Sequence, residues 1–197
     1  MKQTTFFKTI VFCLGIAVGA TLVSVRAHAD EWDQKTTFTF TGPFEIPGQV
    51  LDAGTYVFKV ADVSSDRNIV QVFSEDESHL YGTFLTVPDY RQHPAGKTII
   101  NFEERAAGDP EAVKAWFYPG ENYGHDFVYP RAKAAALARA NNQPVASMPD
   151  ELAGKTTRPA KSMNESSVAV LKKTPLKAQR PTGEEVEVRE VFAVPGR

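Results

Sequence analysis

Cysteine is almost missing from this chain: Cys13 is the single one in 197 residues. That excludes an intrachain disulfide framework and any zinc or iron–sulfur centre built on cysteine. A dominant charge is missing too. Lys and Arg number 22 against 24 Asp and Glu, for a formal net charge of -2. No overall polycation is present to grip nucleic acid, and no nucleic-acid partner is expected. Local signatures of catalysis are also absent: there is no Gly-x-Ser-x-Gly, Ser-x-x-Lys, His-Glu-x-x-His or glycine-rich phosphate loop. No cofactor and no metal site are expected. The length suits one ordinary domain with appendages.

What is present begins with a leader-like N-terminus. Lys2 and Lys8 precede an uncharged, mostly apolar run from Thr9 to Val25, and Ala27-His28-Ala29 follows. A basic start, an apolar middle and small residues at the -3 and -1 positions predict a signal peptide over residues 1–29, with Asp30 as the new N-terminus. The competing reading is a retained anchor, because the 17-residue run falls only slightly short of a membrane span. Cleavage would remove Cys13 and leave a secreted or periplasmic protein with no transmembrane segment, held together by core packing alone.

Aromatic residues locate that core. Beyond the leader there are 18 Phe, Tyr and Trp residues, and 17 of them lie between Trp32 and Tyr129. Charge divides at the same place: residues 30–130 carry 7 basic and 17 acidic groups, and residues 131–197 carry 12 basic and 7 acidic. Before Pro130 the pattern is strand-like. Thr37–Thr41 alternates with period two, Phe44 and Ile46 resume it, and Thr55–Val60, Asn68–Phe73, Leu80–Val87, Thr98–Phe102, Val113–Tyr118 and Asp126–Tyr129 continue it between polar turns. With no helix-length pattern between them, the runs predict an all-β fold. The form expected is an antiparallel β-sandwich or small barrel of seven or eight strands, in a β-domain over residues 30–148. One helix is expected at 131–140, where Pro130 precedes an alanine-rich run that meets Asn141-Asn142. Residues 149–197 read as a mostly disordered basic tail. Within it, alternating Val and Glu at 186–194 predict a strand added to a sheet edge, in this domain or a neighbouring molecule.

Several residue groups bear on function. His79, His93 and His125 would need to converge to hold zinc, but no helical or strand spacing links any pair. Asp62, Ser64, Asp66 and Asn68 alternate like calcium-loop ligands, yet the glycine and closing glutamate of such a loop are missing, and a hairpin turn uses the same residues. Ser74–Ser78 reads as a solvated acidic turn. The binding candidates are Trp116, Tyr118, Lys114 and Tyr123. Alternation sends Lys114, Trp116 and Tyr118 to one face, with Tyr123 at the following hairpin. If that face is open, two aromatics beside a lysine make a stacking surface for a sugar or a protein; if a second layer covers it, they are core.

Leu51-Asp52-Ala53-Gly54-Thr55-Tyr56, Trp116-Phe117-Tyr118-Pro119-Gly120 and Gly124-His125-Asp126-Phe127-Val128-Tyr129-Pro130 resemble uncharacterised exported proteins of soil bacteria. The resemblance covers about half the chain and implies export and fold class, not an activity. Together these features lead us to expect an exported, non-enzymatic binding or structural protein of the cell envelope, with an envelope polysaccharide or a protein as partner. The alternative is a small hydrolase that acts on envelope carbohydrate through paired Asp and Glu carboxylates.

Overall fold

The alternation at the start of the folded region carries straight into burial. In a computed structural model that describes residues 25–30, 34–63, 68–105, 108–157 and 166–192, strand β2 (Lys35–Phe40) buries Thr36, Phe38 and Phe40 and leaves Lys35, Thr37 and Thr39 half-buried. β1 (Val25–Asp30) pairs with it along all six residues. β3 (Phe44–Ile46), β4 (Gln49–Leu51), β5 (Gly54–Val63), β6 (Asn68–Ser74), β7 (Leu80–Tyr90), β8 (Ile99–Glu103), β9 (Glu111–Phe117) and β10 (Tyr123–Phe127) follow.

These ten strands form one sheet in the order β1-β2-β5-β6-β7-β10-β9-β3-β4, with β8 also paired to β9. All neighbours are antiparallel except β3 and β9. The sheet folds over on itself, because rings from strands far apart in that order touch. Phe38 on β2 meets Trp116 on β9 edge-on at 6.4 Å, and Phe40 stacks on Phe44 of β3 at 3.7 Å. Phe58, Phe84, Phe127 and Tyr129 complete this aromatic interior. Each such side chain contributes about 1.5–3 kcal/mol when fully buried, which makes this cluster the main stabilising element.

β11 (Tyr129–Pro130) leads into α1 (Arg131–Asn141), whose Ala134, Leu137 and Ala138 close the aromatic core. Asp150 accepts from the Ala132 N–H at 3.0 Å and satisfies an otherwise free donor at the helix start. The helix ends where Asn142 adopts a left-handed φ of 52°. The chain then forms β12 (Val145–Met148), a 3-10 turn (Asp150–Leu152), α2 (Ala153–Thr156), α3 (Ser166–Lys173), β13 (Lys177–Gln179), β14 (Glu185–Glu187) and α4 (Val188–Val191). A second sheet has the order β11-β12-β13-β14. It shares a second core in which Ile69, Leu85 and Val87 of the large sheet meet Ala146, Met148, Val168 and Leu171. α2 comes so close to β7 that a Cβ on Gly82 would lie 2.7 Å from the Thr156 carbonyl oxygen, so the backbone approach itself requires glycine there.

The protein is all-β in class, as its sequence predicts, but the element count differs. The described residues hold fourteen strands and four short α-helices, where seven or eight strands and one helix are expected. The reading of 149–197 as mostly disordered does not hold for residues 150–157 and 166–192, and residues 158–165 and 193–197 lie outside the description. The physical reason is that Val168 and Leu171, too few to make a core alone, bury against the back of the large sheet, while Ala178 and Val186, paired with each other in the second sheet, are also buried. The edge strand expected at 186–194 forms at Glu185–Glu187, hydrogen-bonded to β13, and the chain turns helical from Val188.

Candidate functional site

The four binding candidates go to three different places. Trp116 is 0% exposed, packed edge-on against Phe38 and Phe58 and tilted against His125 at 5.3 Å. Tyr118 is buried in the same core. The covered-face alternative therefore applies, and Trp116 and Tyr118 present no open stacking surface. Tyr123 is half-buried beside Tyr90 and His125. Lys114 leaves the group because of a bulge: Phe102 pairs with Val113 and Asn101 with Ala115, so Lys114 is the extra residue on β9.

That bulge turns Lys114 into a charged cluster. Its ammonium lies 3.3 Å from Glu103 Oε1 on β8 and 3.7 Å from Asp126 Oδ2 on β10. Asn141, the last residue of α1, donates from Nδ2 to Glu103 Oε2. Lys114 keeps 20% of its side chain exposed, whereas Glu103 and Asp126 keep 3% and 2%. Burial pushes the Asp126 carboxyl up to about 8, with Asp89 and Glu103 adding to the rise and Lys114 opposing it. Burial also raises Asp89. Burial pulls the Lys114 ammonium down, but Asp126, Glu103 and Asp89 outweigh it and hold it above an ordinary lysine. Burial therefore favours the protonated form of Asp126, while Lys114 stays charged beside Glu103.

A carboxyl that holds its proton at neutral pH, beside a second carboxyl, has the chemistry of a general acid. Both carboxyls of this pair are almost fully buried. Three clefts in the surface are lined by other residues. The most polar of them, about 440 Å³, lies between β3, β4 and α1. There Glu45 Oε2 accepts from Arg105 and Lys133, both at 2.7 Å, and Arg105 also reaches Asp109 at 3.2 Å. The two cations and two carboxylates satisfy one another.

The histidines do not converge. His79 packs edge-on against Tyr81 at 4.6 Å, His93 is exposed in the loop after β7, and His125 is buried between Trp116 and Tyr123. Asn68 donates from Nδ2 to His125 Nδ1 at 3.0 Å and to the Tyr123 hydroxyl. Burial lowers His125 to about 4, so its ring is neutral. Among the described residues no group of three His, Cys, Asp or Glu side chains is arranged to hold a metal ion. Of the calcium-like series, residues 64–67 lie outside the description, and Asn68 is the one whose side chain is placed. The Ser74–Ser78 turn is held by Asp76, which accepts from both serine hydroxyls at 2.6 and 2.8 Å, and these bonds lower its carboxyl to about 2.

Glu103, Asp126, Asn141, Glu45 and Arg105 were not among the candidates read from the sequence. One signal was available: Lys114 interrupts a run from Ala112 to Tyr118 that is otherwise apolar on both strand faces, and a charge in such a place needs a partner. No protein-family model, curated protein or solved structure matches the chain.

Proposed function

We propose that the chain is an exported, non-enzymatic binding or structural protein of the cell envelope, whose partner is a protein. The observation that carries this reading is the closure of the Glu103–Lys114–Asp126 cluster: the carboxyls a glycosidase would use are buried and tied to one ammonium. Burial of Trp116 and Tyr118 removes the stacking surface on which a polysaccharide partner depended. Export is supported by the basic and apolar N-terminus ending in Ala27-His28-Ala29 and by the resemblance to exported bacterial proteins. The experiment is to recover the protein from the envelope fraction, determine its N-terminus, and incubate it with envelope polysaccharide. The expected outcome is a chain beginning at Asp30 that releases no reducing ends. Release that is lost in Glu103→Gln would overturn the reading in favour of the hydrolase.

A further inference from the structure

The edge of the large sheet at β2 has a property that depends on the leader. Among the described residues its partner on the side away from β5 is β1, which pairs residue for residue from Val25 opposite Phe40 to Asp30 opposite Lys35. The cut expected after Ala29 falls inside β1 and removes five of its six residues. An edge strand left in that state usually carries some protection: proline, a bulge, extreme shortness or several charges. β2 has none of these. It is six residues of Lys-Thr-Thr-Phe-Thr-Phe, in unbroken register with both neighbours, with threonine and phenylalanine at five positions. Its single charge, Lys35, is engaged by Glu77.

We propose that in the exported form β2 pairs with β2 of a second copy of this chain, so that two large sheets join into one across a two-fold axis. The proposal rests on the leader reading given above. Several observations select a second copy as the occupant. The pairing with β1 shows that the edge accepts an antiparallel strand over its whole length. The chain's own C-terminal strand is committed elsewhere, to β13. The geometry of self-pairing also suits this sequence. A two-fold axis perpendicular to the sheet sets even positions opposite even positions and odd opposite odd, because opposed residues share a face. The axis then passes through Thr37 or Phe38. In the first register Lys35 faces Thr39, and in the second it faces Thr41, so like charges meet in neither. Both registers keep Thr36, Phe38 and Phe40 on the core face, continuing the buried layer from one copy into the next.

The test expresses the chain with its own leader, recovers the exported protein, and measures its N-terminus by mass and its oligomeric state by sedimentation across a concentration series. A dimer beginning at Asp30 is expected. Thr37→Lys combined with Thr39→Lys places lysines opposite lysines in both registers, and this variant is expected to sediment as a monomer. Mixing it with the Thr37→Glu, Thr39→Glu variant should restore a dimer. Should the charged variants fail to fold, amide hydrogen exchange on the unaltered protein decides: pairing protects the β2 amides that point away from β5, and a bare edge exchanges them freely. A monomer at every concentration, a dimer indifferent to the lysine pair, or freely exchanging edge amides would overturn the proposal. An exported chain that keeps residues 25–29 would overturn it through the leader reading instead, and the N-terminal mass separates the two failures.

Discussion

Between Lys35 and Tyr129 the interior is made of rings, and the charges that enter it are buried. Phe58 alone lies within 6.3 Å of the ring centres of Phe38, Phe40, Trp116 and Phe127. Glu103 and Asp126 are buried beside that interior, and Lys114 reaches both from a partly exposed position. Between Val145 and Phe192 the interior is Ala146, Met148, Val168, Leu171 and Ala178, and the charges sit outside. Lys177 pairs with Glu187, Arg180 with Glu184 at 2.7 Å and Glu190 at 3.8 Å, and Arg131 with Glu185 at 2.8 Å. The first region buries enough area to hold itself together. The second is a layer that gains stability by covering Ile69, Leu85 and Val87 on the back of the first. Aromatic content therefore marks where a core starts, not where folding stops.

The largest expected effect is asymmetric between these regions. Phe58→Ala removes a fully buried ring at the centre of the aromatic core and should cost about 3–5 kcal/mol, enough to unfold the molecule or nearly so. Leu171→Ala should cost about 2–4 kcal/mol, but chiefly to the outer layer. Hydrogen exchange and limited proteolysis should then report opening of residues 166–192, while the buried environment of Trp116 is kept. If Leu171→Ala instead lowers protection uniformly across both sheets, the two regions are one cooperative unit and the contrast fails.

Next in size is the effect of the buried charge, which distinguishes the first region by its pH response. Asp126 has a folded value near 8 against an ordinary value of 3.8. An acid raised on folding contributes stability that is fully present below the ordinary value and lost as pH rises through the folded one. His125 works in the opposite direction. Lowered from 6.5 to about 4, it contributes stability present above 6.5 and lost as pH falls toward 4. Asp126→Asn keeps the shape of the protonated acid without its ionisation. Its stability relative to the parent should therefore differ little below about pH 4, grow in its favour as pH rises from there toward 8, by roughly 1 kcal/mol per pH unit, and level off above that. A difference that does not change with pH would mean that Asp126 is ionised throughout, paired to Lys114.

How far all this was legible in the sequence follows the same division. Period-two alternation located the strands from Lys35 to Phe127 to within a few residues, except the three-residue β4, which it missed. The proline before Arg131 and the asparagines after Ala140 bounded the first helix correctly. Alternation could separate the two faces of the Lys114–Tyr118 run, yet it carries no information on which face a distant layer covers, and that is what decided Trp116. It also assumes an unbroken ladder, and the bulge that redirects Lys114 depends on β8, which no local pattern reports. The second sheet was illegible for a related reason. β11 and β12 are two and four residues long, and their pairing is parallel across the intervening helix. Val168 and Leu171 read as a tail because the surface they bury against lies far earlier in the chain, in Ile69, Leu85 and Val87.

The smallest expected effect asks what holds the second region in place. Its ion pairs are numerous and its apolar contacts are modest, so charge is a reasonable rival to packing. Arg180 is the sharpest place to separate them, because it faces two carboxylates and has about a third of its side chain exposed. Exposed pairs of this kind typically contribute about 0–1 kcal/mol, since water already solvates both partners and each long side chain loses freedom when fixed. Arg180→Ala should therefore lower stability by less than about 1 kcal/mol, and the difference should shrink as salt is added. Leu171→Ala removes buried area that salt does not screen, so its cost should persist at every ionic strength. Proteolysis of both variants in low and high salt makes the comparison direct. If Arg180→Ala opens residues 166–192 as widely as Leu171→Ala does, and salt opens the parent as well, then the hairpin of β13 and β14 is held by its charges and the layer rests on the sheet without depending on it.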